Sequence, residues 1–152
     1  MNNTAIFGAG CFWGVERSFA DLTGVKTTRV GYMGGEVDNP SYDQVCSDNT
    51  GHVEVVEIVF NPEEITYKEL LGKFWEIHDP TQLNRQGSDV GTQYKSVIFT
   101  TSIAQAKEAV ESLQSLNNYE KVVTSIESAT TFFEAEEYHQ KYLDKKNKNT
   151  GN

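Results

Sequence analysis

Cysteine is scarce in this chain. The 152 residues contain two, Cys11 and Cys46, set 35 positions apart with no Cys-x-x-Cys. That pattern supplies neither a disulfide framework nor a thiolate metal site. The three histidines, His52, His78 and His139, add no ligand spacing, so no metal is expected. Gly-Lys-Ser and Gly-Lys-Thr are absent, which excludes a phosphate-binding P-loop. Gly8-Ala9-Gly10 lacks the third glycine of a dinucleotide fingerprint, because position 13 is Trp13. Positive charge is also short, with 13 Lys and Arg against 22 Asp and Glu and a net charge of −9. Such a chain is a poor ligand for nucleic acid or an anionic membrane. No apolar run approaches the roughly 20 residues that span a bilayer. Met1-Asn2-Asn3-Thr4 carries no basic region, so neither a signal nor a transit peptide is expected. A cytoplasmic monomer is the expectation.

Apolar periodicity divides what remains into alternating strands and helices. Strands are predicted over 4–7, 27–32, 52–60, 94–100 and 122–129, and helices over 13–22, 66–77, 102–116 and 134–143. Both faces of the 52–60 strand are mostly apolar, which places it in the interior of a sheet. Thr66, with Glu69 three residues on, is a capping-box start for the second helix. Residues 36–51 and 78–93 form two polar stretches of a length usually kept for function. Residues 144–152 contain no apolar side chain and read as a disordered tail, leaving 1–143 as one domain. The order β-α-β-β-α-β-α-β-α points to a two-layer α/β (α+β) sandwich, a ferredoxin-like split βαβ with a mixed sheet.

The chemistry concentrates in Gly8-Ala9-Gly10-Cys11-Phe12-Trp13-Gly14-Val15-Glu16. Cys11 follows a strand and opens a helix, where unpaired N–H groups and the helix dipole favour a thiolate and lower the thiol pKa. The competing reading is a buried structural cysteine. Phe12 and Trp13 are either walls for an apolar group or soft sulfur, or core residues of the first helix. Glu54 shares a strand face with Val56, Ile58 and Phe60, surroundings that raise a carboxyl pKa and keep it protonated. Glu57, on the opposite face, has similar neighbours but no motif around it. Tyr42, Tyr94 and Asp89 lie in or beside the two long loops. The tyrosine hydroxyls could hydrogen-bond a polarised oxygen and the aspartate could orient a tyrosine or a water; taken singly, each reads as an ordinary loop residue.

These residues resemble a known family. Gly8-Ala9-Gly10-Cys11-Phe12-Trp13-Gly14 is similar to the signature of type A methionine sulfoxide reductases. The resemblance runs on through Gly31-Tyr32-Met33-Gly34-Gly35, Asn39-Pro40-Ser41-Tyr42, Val45-Cys46-Ser47 and Thr50-Gly51-His52-Val53-Glu54-Val55. It continues from Phe74 to Tyr94 and from Phe132 to Gln140. It implies a two-layer α/β sandwich that reduces the S epimer of methionine sulfoxide, free or in peptides. It also implies roles: Cys11 as nucleophile, Phe12 and Trp13 around the substrate methyl, and Glu54 as proton donor. Tyr42 and Tyr94 would hydrogen-bond the oxygen, and Asp89 would support the same site. No cofactor is implied. Cys11 becomes a sulfenic acid, which many family members recycle with cysteines in a C-terminal tail. Nothing after Cys46 is a cysteine here. An external thiol is therefore expected: glutathione with glutaredoxin first, thioredoxin second, dithiothreitol in the test tube.

Two other readings fit the residues less well. A cysteine hydrolase would bring His52 or His78 to Cys11. A binding module would leave Cys11 without turnover.

Overall fold

A computed structural model describes residues 3–47 and 49–143. Strand β1 (Asn3–Ala9) runs into helix α1 (Phe12–Ala20), which is followed by β2 (Val25–Met33). The first long polar stretch holds a one-turn helix, α2 (Tyr42–Cys46), ahead of β3 (Val53–Phe60) and α3 (Tyr67–Glu76). The second holds a two-residue hairpin, β4 (Arg85–Gln86) and β5 (Asp89–Val90), and a 3₁₀ turn at Thr92–Tyr94. Strand β6 (Ser96–Thr100), α4 (Ile103–Gln114), a 3₁₀ turn at Tyr119–Lys121, β7 (Ser125–Ser128), β8 (Phe133–Glu134) and a 3₁₀ turn at Glu137–His139 follow.

The sheet order is β7-β6-β1-β3-β2-β8. All neighbours are antiparallel except the β6–β7 pair. Strands β6-β1-β3-β2 with α1 and α3 reproduce the ferredoxin-like split βαβ arrangement, with β3 interior as its two apolar faces require. One sheet face carries Ala5, Phe7, Val56, Ile58 and Ile98. It packs on Phe12, Val15 and Phe19 of α1, Leu70, Leu71 and Phe74 of α3, and Ala109 of α4. The other face carries Ile6, Met33, Val53, Val55, Val97 and Phe99, with Ala129 and Phe132 against it. Thr66 and Glu69 form the expected capping box on α3.

Three local expectations are corrected. Tyr94 belongs to the 3₁₀ turn before β6, and the strand expected over 122–129 is confined to Ser125–Ser128. The continuous helix expected over 134–143 is replaced by β8 and a 3₁₀ turn at Glu137–His139. Phe133 and Glu134 instead pair with Tyr32 and Gly31 at the edge of β2, and Ala135 N–H donates to Val30 C=O at 3.0 Å. The Gln140 side chain also bonds both Val30 N–H and Val30 C=O, each at 2.9 Å. Lys141 has φ 51°, which no right-handed helix accepts. Covering an exposed strand edge takes precedence over the local helical pattern. The tail expected over 144–152 lies outside the described residues.

Candidate active site

The chain reverses from β1 into α1 over Gly10 and Cys11. Gly10 has φ +100°, and a Cβ there would lie 2.9 Å from the Gln86 side chain, so glycine serves both the turn and the close approach of the second loop. Cys11 is the N-cap residue of α1. The backbone N–H groups of Trp13 and Gly14 point at its sulfur, as the sequence implies. Their effect does not prevail. Burial pushes the Cys11 thiol up to about 11, and the carboxylates of Glu54 and Asp89 push the same way. The expectation of a lowered thiol pKa is therefore corrected: desolvation by burial outweighs the helix terminus, and the resting thiol is protonated. A hollow of about 210 Å³, lined by Ala9, Cys11, Gly14, Val15, Ser18 and Ile77, opens beside it. A larger one of about 450 Å³ lies between the end of β6 and the start of α4, at the opposite end of the sheet.

Glu54 meets Cys11 through strand register. Phe7 pairs with Val56, so the next helix-side position of β3 falls under the β1–α1 turn. Glu54 is only 1% exposed, and its Oε1 accepts from Phe12 N–H at 3.1 Å. Its Oε2 has no hydrogen-bond partner among the described residues. Burial raises the carboxyl to about 8, so it holds its proton at neutral pH. Glu57 is the contrast: it pairs with the Arg29 guanidinium through two hydrogen bonds.

The remaining predicted residues converge on the same place. Phe12 is fully buried, with its ring centroid 6.4 Å from that of Tyr42, and Trp13 and Tyr42 are stacked at the same separation. The Tyr42 hydroxyl contacts the Cys46 thiol; burial first and then this hydrogen bond keep it protonated. Tyr94 is raised to about 12, first by burial and then by Glu54. Asp89, in β5, acts electrostatically on Cys11, Glu54 and Tyr94. Cys46 is exposed at the end of α2.

Sequence reasoning missed the support behind this wall. His139 is fully buried and its Nδ1 accepts from Trp13 Nε1–H at 2.9 Å. The ring therefore carries its proton on Nε2, which has no partner among the described residues. His139 packs 4.4 Å from Tyr42, and Tyr142 stacks 3.9 Å from Trp13 on centroid distances. Glu136 accepts from Tyr42 N–H and the Tyr32 hydroxyl, both at 3.0 Å. Burial opposes its charge, but these bonds hold the carboxyl below its usual range. Only the Phe132–Gln140 resemblance pointed here. The one-turn helix α2 did leave a signal, the Ser41-x-x-Gln44 capping box.

Neither rival histidine reaches Cys11. His52 Nδ1 accepts from Gly35 N–H at 3.0 Å and its Nε2 donates to Val37 C=O at 2.6 Å, closing the first long loop. His78 bonds Phe74 C=O at 2.6 Å and the Ser96 hydroxyl at 2.7 Å, and burial lowers its pKa to about 4. The constellation thus joins a thiol to a neutral acid and phenols, without an imidazole base.

Comparison with known proteins agrees with this geometry. Residues 3–152 match the model of the family described as peptide methionine sulfoxide reductase. The peptide methionine sulfoxide reductase MsrA of Methanothermobacter thermautotrophicus is 57% identical over 145 residues, covering 93% of this chain and 86% of that protein. The crystal structure of Mxr1 from Saccharomyces cerevisiae in reduced form superposes with a TM-score of 0.90 at 38% identity, covering 95% of this chain and 85% of that one. Mxr1 in complex with Trx2 aligns at a TM-score of 0.66 and 26% identity, over 93% and 84% of the two chains. The chain belongs to the peptide methionine sulfoxide reductase family, whose members reduce methionine sulfoxide to methionine.

Proposed function

We propose that Cys11 attacks the sulfur of an S-epimer methionine sulfoxide while Glu54 protonates its oxygen. The observation that carries this reading is the Glu54 carboxyl. It is buried, neutral and anchored through Oε1 to the N–H of Phe12, the residue after Cys11, and its other oxygen has no hydrogen-bond partner among the described residues. Phe12 and Trp13 hold the methyl group. Tyr42 exchanges its contact with Cys46 for the substrate oxygen, Tyr94 donates to the same oxygen, and Asp89 orients this cluster. The oxygen grows basic as the sulfur–sulfur bond forms, so Glu54 lends it a proton and takes the thiol proton in return. Cys11 needs no standing thiolate. The protonated oxygen then leaves the substrate sulfur for the Cys11 sulfur as the sulfur–sulfur bond breaks, giving methionine and a Cys11 sulfenic acid: one oxygen atom is transferred, and two electrons pass from the Cys11 sulfur to the substrate sulfur.

An external thiol then reduces the sulfenic acid. Glutathione with glutaredoxin fits a site with no described resolving thiol, and the Trx2 complex of the yeast relative supports thioredoxin as a second donor. The testing experiment is single-turnover reduction of methionine sulfoxide by Glu54→Gln. The expected result is a reductase step slowed by roughly two or more orders of magnitude. An unchanged rate removes Glu54 from the chemistry.

A further inference from the structure

A groove of about 320 Å³ lies beside the catalytic wall, lined by Asn39, Pro40, Ser41, Phe133, Glu134 and Glu136. It continues from the site. Glu136 lines it and accepts from the backbone N–H of Tyr42, so the groove begins one residue from a substrate-binding tyrosine. Its walls combine two chemistries. Pro40 is buried and Phe133 half-buried, an apolar floor with no charge to satisfy. Two carboxylates, Glu134 and Glu136, line the same groove. Both oxygens of Glu136 are already engaged, by Tyr42 N–H and the Tyr32 hydroxyl, and these bonds keep it ionised. It contributes field rather than a free acceptor. The Glu134 side chain is 56% exposed, and its cationic neighbour, the Arg29 guanidinium, stands 3.7 Å away while also pairing with Glu57 through two hydrogen bonds. Glu134 thus has acceptor capacity toward the groove. No lysine or arginine lines it. The outer edge of β8 pairs with no further strand among the described residues, which leaves room for an extended polypeptide.

We infer that this groove is a subsite for a cationic residue flanking methionine sulfoxide in a polypeptide, and the inference rests on the catalytic reading above. The methylene stem of a lysine or arginine lies on Pro40 and Phe133, while its charged head meets Glu134 in the field of Glu136. The subsite selects among oxidised polypeptides by charge and has no bearing on the uncharged, blocked single amino acid.

The test compares kcat/KM for three peptides that differ only beside the methionine sulfoxide, carrying Lys, Ser or Glu. N-acetyl methionine sulfoxide amide is the control. At low ionic strength the Lys peptide should exceed the Glu peptide by roughly fivefold to tenfold, through KM, since each exposed ion pair adds modestly and the opposing like charge subtracts. The gap should close at high salt. Glu134→Gln should narrow the range and Glu134→Lys should invert it, both with the control substrate unchanged. Equal rates for the three peptides, or a Lys preference that survives Glu134→Lys, overturns the subsite. Failure of the unaltered protein to reduce the blocked control overturns the catalytic reading instead.

Discussion

At the scale of single residues, two protonation states define the site. Glu54, at about 8, is the acid, and Cys11, at about 11, is a thiol. Ionised Glu54 has no proton to lend, so the single-turnover rate should fall as pH rises through about 8, with no acidic limb from either group. A stopped-flow pH series checks this, and Glu54→Gln should flatten what activity remains. Cys11→Ser should abolish turnover. Cys46→Ser should leave most of it, because Cys46 is an exposed contact of Tyr42 and not the attacking atom; a folded but inactive Cys46→Ser protein contradicts the assignment. His139→Phe should raise KM roughly tenfold with a smaller change in kcat, the scale of one buried hydrogen bond plus some loosening of Trp13.

At the scale of elements, α1 is tied to the segment behind the site. Glu16 is 2% exposed and accepts from the Thr28 hydroxyl at 2.8 Å and from Lys141 N–H at 2.7 Å. Glu16→Ala removes the partner of the buried Thr28 hydroxyl and of the Lys141 N–H at the surface, at a cost of about 1–3 kcal/mol. Denaturant melts should show the loss, and limited proteolysis should cut first near residue 141. A Glu16→Ala protein as stable as the parent contradicts the tie. The same segment marks where local reading stopped. Strands β1 and β3 and helices α1, α3 and α4 were legible because each alternates or repeats its apolar residues over several turns or pleats. The run from Phe133 to Leu143 also carries helical spacing, yet its partner is the edge of β2, more than 100 residues earlier in the chain.

At the scale of the whole molecule, burying Glu54 carries a pH signature. Its folded pKa stands above the ordinary 4.5. The native state therefore binds the extra proton, and that stabilisation is fully present below about pH 4.5. It drains away as pH rises and is gone above about 8. Relative to Glu54→Gln, the parent should lose stability across this window by an amount on the order of a few kcal/mol, measured by paired urea titrations. Recycling also belongs to this scale. After one equivalent of substrate without reductant, intact mass should rise by one oxygen atom, trapped at Cys11. A species lighter by two hydrogens with Cys11 joined to Cys46 identifies Cys46 as a resolving thiol. Chiral chromatography of leftover racemic substrate should show the R epimer untouched.

The sequence by itself determined the ferredoxin-like order of the first six elements, the capping box on α3 and the interior place of β3, and through the family resemblance it offered Cys11, Glu54, Phe12, Trp13, Tyr42, Tyr94 and Asp89 as a candidate set. The first three follow from periodicity and cap chemistry, local properties of the chain; the set follows from the resemblance of its motifs. Tertiary structure alone decided the charge on Cys11. A helix N-terminus acts over one turn and can be read from sequence, but desolvation depends on everything that packs above the thiol, and here it is the larger effect. Tertiary structure also decided that Glu136 and His139, on a single 3₁₀ turn, stand behind Tyr42 and Trp13, because the edge of β2, more than 100 residues earlier in the chain, claimed Phe133–Ala135 just before them.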